Sequence, residues 1–143
     1  MDDSHGLHRF IDAQQHSFTA ALEELRAGAK RSHWMWFIFP QLRGLGRSPT
    51  AQHYGIASAE EAAGYLRHPV LGRRLRDCVE ALLPWGGTRS ADQILGSVDA
   101  MKLRSCLTLF DVIEPDSLFA RALDAFYEGE RDECTLALLN RQA

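Results

Sequence analysis

The chain has 143 residues, of which 45% are hydrophobic and 24% charged, and its formal net charge is −3. This composition suits one globular domain and excludes collagen-like, coiled-coil and disordered chains. The acidic start lacks the apolar stretch of a secretory signal, and the apolar run from Trp34 to Phe39 is too short to cross a bilayer. We therefore expect a cytoplasmic protein that does not contact a membrane. We expect a single domain over residues 1–143.

Apolar residues recur at a helical spacing from the beginning of the chain. In segment 7–27 they are Phe10, Phe18, Leu22 and Leu25, and Gly28 can supply the left-handed residue that ends a helix. The segment is either one helix or two helices that separate near residues 16–17.

The next segment is a run of six apolar residues, Trp34 to Phe39, between Ser32 and Pro40. No other segment resembles a partner strand, and a lone strand would leave its backbone groups unpaired. We therefore predict a short helix. Six consecutive side chains on a helix point in all directions, so this helix, including Trp36, should be buried on every side at the centre of the core.

Residues that cap helix starts indicate the remaining helices. Candidate starts lie at Ser48 with Pro49, at Ser58 with Glu61, at Ser90 with Gln93, at Asp99, at Asp116 or Ser117, and at Asp132. The pattern predicts an all-α fold, a compact irregular bundle of about eight short helices around the buried aromatic helix.

The cysteines do not form a disulfide framework, because Cys78, Cys106 and Cys134 are odd in number and none belongs to a CxxC pair. Each lies in an apolar periodic segment, which predicts a reduced, buried side chain. His5 and His8 have helical spacing, but no other histidine, cysteine or carboxylate set has the spacing of metal ligands. We expect neither a metal site nor a cofactor.

The charges are distributed unevenly along the chain. Segment 26–76 contains nine basic residues and only two acidic ones, Glu60 and Glu61, whereas both flanking segments are acidic. A basic middle indicates a surface for an anionic ligand. The sequence favours the alternative that the two charge classes attract each other across helix surfaces, because surface ion pairs are common and weak.

One motif is highly distinctive. It runs from Lys30 to Leu42 as KRSHWMWFIFPQL, and GLGRS follows at residues 44–48. Together with further matches at residues 7–10, 12–14, 65–72, 102–105, 108–110, 132 and 135–136, it resembles the bacterial family known as domain of unknown function 1810. The resemblance covers nearly the whole chain. It implies an all-helical fold and supplies no activity.

Three segments carry polar or basic side chains where an anion is electrostatically favoured. The candidate ligand-binding residues are Lys30, Ser32, His33, Trp36 and Gln41 in the aromatic segment, Arg47 and Ser48 after a glycine-bearing loop, and Lys102, Arg104 and Ser105 on a later helix. Helix N-termini present unpaired N–H groups and partial positive charge, which favours an anion beside Ser32 and Ser48. Unpaired cations in the apolar segment 103–110 are costly to bury and suit a wet pocket. We predict that the three segments converge around one cleft.

Each candidate also has a structural interpretation. Lys30 would stabilise the C-terminus of the preceding helix, His33 would bond to a backbone carbonyl, and Trp36 would belong to the core. Asp99, one turn before Lys102, would form an ion pair with it. No catalytic residue is identified.

The leading functional hypothesis is a pocket for a small anionic ligand, such as a nucleotide or an ADP-ribose-like molecule, in a protein that either only binds this ligand or acts on it as an enzyme. The alternatives are a non-catalytic protein-interaction module with a basic docking face, and an aromatic signature that is only core. Nucleic acid is not expected as a partner, because the net charge is negative and aromatic residues do not alternate with basic ones. The oligomeric state stays open.

Overall fold

The computed structural model describes residues 6–142, and this part of the chain forms ten α-helices and one short 3-10 turn. The helices are α1 (His8–Gln14), α2 (Phe18–Arg26), α3 (Met35–Ile38), α4 (Pro49–His53), α5 (Ala59–Arg67), α6 (Leu71–Leu82), α7 (Ala91–Leu95), α8 (Ser97–Ile113), α9 (Leu118–Tyr127) and α10 (Glu133–Gln142). The predicted all-α class is confirmed. The predicted count of about eight is too low, because segment 7–27 divides into α1 and α2 and because Val70, at the start of α6, is not a capping residue.

Local signals set several helix boundaries as predicted. The Ser48 hydroxyl accepts a hydrogen bond from the Ala51 N–H, and Ser90 and Gln93 cap each other reciprocally. The Asp132 carboxylate accepts the Thr135 N–H at the start of α10. These caps satisfy N–H groups that a helix start would otherwise leave unpaired.

Segment 7–27 forms two helices that separate at residues 15–17. Gly28 follows α2 with a φ of +71°, and a Cβ at this position would lie 2.7 Å from the Trp85 ring. The Trp85 indole N–H also donates to the Leu25 carbonyl at 3.0 Å. Glycine is therefore required here both for the left-handed conformation and for the close approach of the indole ring.

At three predicted helix starts the capping interaction differs from the prediction, although Ser58 and Ser117 do directly precede α5 and α9. The Ser58 hydroxyl caps α5, but the Glu61 carboxylate accepts the Ala57 N–H instead of completing the capping box. Helix α8 begins at Ser97, so Asp99 lies inside its first turn and does not cap it. Ser117 precedes α9 but makes no side-chain hydrogen bond to it. The Glu61 and Asp99 carboxylates thus bond to groups other than the N–H groups that the predicted caps would use.

Helix α8 is the central element of the bundle, and it packs against α5, α7, α9 and α10. Its side chains from residue 103 to residue 110 are buried, apart from Arg104. Helix α6 packs against α2, α5 and α9 through an apolar stripe that includes Leu71, Leu75 and Val79. The core therefore extends along α8 and α6, and α3 lies against α1.

The aromatic segment is central but is not buried on every side. Trp34, Met35, Ile38 and Phe39 are at most 3% exposed, whereas Trp36 and Phe37 are half-buried. The helix is a single turn and cannot be surrounded completely, and the Trp36 side faces a pocket described below. The prediction that Trp36 is fully buried is therefore wrong.

The three cysteines differ in environment. Cys78 and Cys106 are buried as predicted, but Cys134 is exposed in the first turn of α10. Burial raises the pKa of the Cys78 thiol to about 12 and that of Cys106 well above its usual value. Both core thiols therefore stay protonated at neutral pH and behave as small apolar groups.

Across residues 6–142, no helix combines the length and apolar character that a bilayer span requires.

Candidate functional site

Two lysines far apart in sequence meet at one carboxylate. The Lys30 Nζ lies 3.1 Å from Asp99 Oδ2, and the Lys102 Nζ lies 3.2 Å from Asp99 Oδ1. All three side chains are at most 20% exposed. The contact joins the segment after α2 to the first turns of α8, and Lys30 is fixed further by its backbone N–H, which donates to the Ile94 carbonyl.

The two lysines also contact the tryptophans of the aromatic segment. The Lys102 Nζ lies 3.9 Å from the centroid of the Trp36 ring, and the Lys30 Nζ lies 5.2 Å from that of Trp34. Both distances are within the range of cation–π attraction. Together with the exposed His33, these side chains line a small pocket of about 160 Å³, called here the lysine pocket.

The lysine pocket carries excess positive charge. One carboxylate, Asp99, faces two ammonium groups, and each ammonium has three N–H donors of which this carboxylate uses at most one. His33 at the rim makes no hydrogen bond to any group within residues 6–142. The pocket can therefore donate several charge-assisted hydrogen bonds to an anion.

The anion predicted beside Ser32 is part of the chain itself. One Glu24 oxygen accepts the backbone N–H groups of Arg31 and Ser32 and the Trp34 indole N–H, and the other accepts the Ser32 hydroxyl at 2.6 Å. Burial alone would raise the pKa of Glu24, but these hydrogen bonds, with that of the Ser32 hydroxyl the largest, lower it to about 2. Ser32 therefore bonds to Glu24 and does not line the lysine pocket.

We expect the Glu24→Gln substitution to destabilise the protein at pH 7 by on the order of 1–3 kcal/mol, the range for charge-assisted hydrogen bonds. A lowered pKa in the folded state means that the ionised carboxylate stabilises the fold above the unfolded pKa, near 4.5, and loses this effect as pH falls toward 2. Urea unfolding of wild type and variant should give free energies that converge between pH 4.5 and pH 2.

The neighbouring Glu23 is exposed, and its side chain forms no hydrogen bond or ion pair with any group within residues 6–142. Glu23→Gln is therefore the matched control. It should show little of this pH-dependent convergence. An equal effect from both substitutions would mean that general charge repulsion, and not the Glu24 hydrogen bonds, controls stability in this range.

The loop residues of the predicted site lie outside the lysine pocket. The Ser48 hydroxyl caps α4, Arg47 is exposed, and the Gln41 carbonyl accepts the Ile56 N–H in an isolated parallel bridge. The loop nevertheless approaches the pocket, because a Cβ at Gly46 would lie 3.8 Å from the Trp36 ring. The structure thus brings together Lys30, His33, Trp36 and Lys102, and leaves Gln41, Arg47 and Ser48 outside the lining of the lysine pocket.

Arg104 and Ser105 line a different pocket on the other flank of α8. This second pocket has a volume of about 290 Å³, and Asp92, Tyr127 and Asp132 also line it. The Ser105 hydroxyl donates to the Met101 carbonyl, as is common for serine within a helix. Helix α8 therefore separates the predicted cluster into two pockets.

Several arginines of the basic middle bond to groups inside the chain. Arg43 donates to the carbonyls of Gln52 and Gly55, and Arg76 donates to the Leu66 carbonyl and pairs with Glu114 at 2.8 Å. Arg74 lies over the Phe18 ring at 5.1 Å. Part of the positive charge of segment 26–76 thus stabilises turns and helix ends.

Two of the functional groups were not among the sequence candidates. Glu24 gives no local signal, because it acts on residues seven to ten positions away across the turn at Gly28. Asp99 was expected to pair with Lys102, which the structure shows. Its contact with Lys30, however, joins two residues that are far apart in the sequence. No group of three or more histidine, cysteine or acidic side chains within residues 6–142 is placed to hold a metal ion, and His5 lies outside the described residues.

Comparison with known proteins identifies the family. A solved structure, that of the conserved hypothetical protein Rv1873 from Mycobacterium tuberculosis, is 47% identical, and the match covers 96% of this chain and 99% of that one with a TM-score of 0.93. No protein with a curated description matches. The family model described as protein of unknown function (DUF1810) matches residues 4–139. The chain therefore belongs to the DUF1810 family of proteins of unknown function.

Proposed function

We propose that this protein binds a small anion, or the anionic group of a larger molecule, in the lysine pocket. The observation that carries the proposal is the arrangement of Lys30 and Lys102 around Asp99. Two ammonium groups share one carboxylate and retain unused donors in a partly desolvated pocket. Partial burial strengthens the attraction of such groups for an anion relative to that of exposed lysines.

The size of the pocket supports a single anionic group as its occupant. Its volume of about 160 Å³ is below the roughly 300–1,000 Å³ that encloses a typical small molecule. A nucleotide or ADP-ribose would place one phosphate between the lysines and its sugar and base outside. One face of Trp36 is already covered by Lys102, so base stacking on that face does not contribute.

The alternative, a docking module with a basic face, has less support. Arg43, Arg74 and Arg76 of the basic middle contact acceptors or rings inside the molecule. Arg26, Arg31, Arg47, Arg67 and Arg73 are exposed, and their side chains have no hydrogen-bond or ion-pair partner among residues 6–142, so these are the residues that such a face would use. Exposed and solvated cations support only weak electrostatic docking at physiological salt.

A thermal-shift titration tests the anion proposal, with inorganic phosphate, nucleotides and ADP-ribose as probes. A ligand at about one hundred times its Kd stabilises the folded state by about 2.7 kcal/mol, so binding should raise the Tm of the wild type. Lys102→Met, which keeps an apolar stem over Trp36, should lose most of this shift. Arg121→Gln, which removes one positive charge at an exposed position of α9, should keep it.

The proposal fails if none of these anions raises the Tm of the wild type. It also fails if Lys102→Met responds as strongly as Arg121→Gln, since the shift would then arise from general charge effects. Repeating the titration at higher ionic strength separates the two cases, because screening weakens contacts with exposed charges more than contacts in a partly buried pocket.

A further inference from the structure

Arg104 is an arginine without a hydrogen-bonded partner. Its side chain is 35% exposed, the Asp132 Oδ1 atom is 3.8 Å from its Nη2, and none of its guanidinium N–H groups donates to an acceptor within residues 6–142. Other partly buried arginines of this structure, such as Arg9 and Arg131, donate two or more hydrogen bonds each. Arg104, which lines the second pocket, therefore has a planar fork of unused donors.

Asp132 cannot approach Arg104 more closely, because it is held at the start of α10. Its Oδ2 accepts the Thr135 N–H at 3.0 Å and the Thr135 hydroxyl at 2.6 Å, and its own N–H donates to the Thr108 hydroxyl. A partly exposed ion pair at 3.8 Å contributes at most about 1 kcal/mol. A carboxylate that binds both donors of the guanidinium fork can therefore compete with Asp132.

The same pocket contains a second, unpaired carboxylate. Asp92 is exposed and has neither an ion pair nor a side-chain hydrogen bond within residues 6–142. Burial raises the pKa of Tyr127, the charge of Asp92 raises it further, and that of Arg104 lowers it, so both charges act on the same region. With Asp132 included, the lining has two negative groups and one positive group, which disfavours a ligand of high negative charge.

The rest of the lining is apolar. The Tyr127 hydroxyl donates to the Ala100 carbonyl, so it is already used and its ring remains as a hydrophobic surface. Met101 stands at the rim with 72% of its surface exposed. A thioether beside an aromatic ring is an adaptable surface for an apolar group of a ligand.

We propose that the second pocket binds a small zwitterion of the α-amino acid class with an apolar side chain. Its carboxylate contacts the Arg104 guanidinium, its ammonium lies toward Asp92, and its side chain packs against Tyr127 and Met101. A volume of about 290 Å³ is at the lower limit of the roughly 300–1,000 Å³ of small-molecule pockets, which suits one amino acid. This site is separate from the lysine pocket and does not depend on it.

Isothermal titration calorimetry of the full chain with L-phenylalanine, L-leucine and L-methionine tests the proposal. Phenethylamine, which lacks the carboxylate, and 3-phenylpropionate, which lacks the ammonium, are the matched probes. At least one amino acid should bind, and each analogue of phenylalanine should bind at least about tenfold more weakly, the effect of losing one charge-assisted hydrogen bond.

Two substitutions test which residue contacts each charged group of the amino acid. Arg104→Gln and Asp92→Asn should each weaken binding of the best amino acid by about tenfold, whereas Arg121→Gln should leave it unchanged. Asp92 is exposed, so its substitution tests the site without a risk to folding. The absence of binding by all three amino acids overturns the proposal, as does equal binding of phenylalanine and 3-phenylpropionate.

Discussion

Replacing Trp34 with alanine is expected to destabilise the protein by about 3–5 kcal/mol, the range for removing a buried tryptophan. Trp34 is 1% exposed, its ring lies 6.1 Å from that of Phe39, and its indole N–H donates to Glu24 at 2.9 Å. The substitution leaves a cavity in the aromatic segment and removes one donor from the partly buried Glu24 carboxylate. Equilibrium unfolding in guanidinium chloride measures the change in free energy.

Two further variants separate the contributions to this effect. Trp34→Phe keeps an aromatic ring and loses the indole N–H, so it should cost markedly less than Trp34→Ala. Trp36→Ala removes a half-buried ring and should also cost less. Equal losses for Trp34→Ala and Trp36→Ala would contradict the assignment of Trp34 to the core and Trp36 to a pocket wall.

We expect Arg9→Met to destabilise the protein by about 3–5 kcal/mol, because it leaves a buried carboxylate without its counter-charge. The Arg9 guanidinium lies 3.2 Å from Glu61, whose side chain is 4% exposed, and it also donates to the carbonyls of His53 and Gly55. The pair joins α1 to α5. Thermal and chemical denaturation of the variant measure the loss.

A double-mutant cycle shows how much of that loss arises from the uncompensated charge. In Arg9→Met with Glu61→Gln, the buried group is neutral and can still accept the Ala57 N–H, so part of the stability should return. If the double variant is less stable than Arg9→Met by the full cost of Glu61→Gln alone, the two residues do not interact, and the loss comes from the carbonyl contacts of Arg9.

The features that could be predicted from the sequence are those that depend on a few neighbouring residues. Ser48, Ser90 and Asp132 each cap a helix by accepting the backbone N–H three positions along the chain, and each was identified from local sequence alone. The run from Trp34 to Phe39 was correctly predicted to form a short helix, which spans Met35–Ile38, for a similar reason, since length and composition are local properties.

The features that could not be predicted depend on the direction of a side chain relative to distant elements. Glu24, Asp99 and Glu61 each have a local role as an ordinary helix residue, yet each carboxylate bonds to a segment that only the folded chain brings near. The separation of the predicted site into two pockets also depends on the direction of side chains. Lys102 and Arg104 are two positions apart, so they point about 200° apart around α8 and face different flanks.

The contacts of Lys30 with Asp99 and of α2 with α6 also constrain the order in which the molecule assembles during synthesis. Helix α2 leaves the ribosome before α6 has been synthesised. The apolar face of α2 therefore stays uncovered until α6 has also emerged. The lysine pocket is complete only after residue 102 has left the ribosome. A nascent chain shorter than this lacks the site, whatever helices it has already formed.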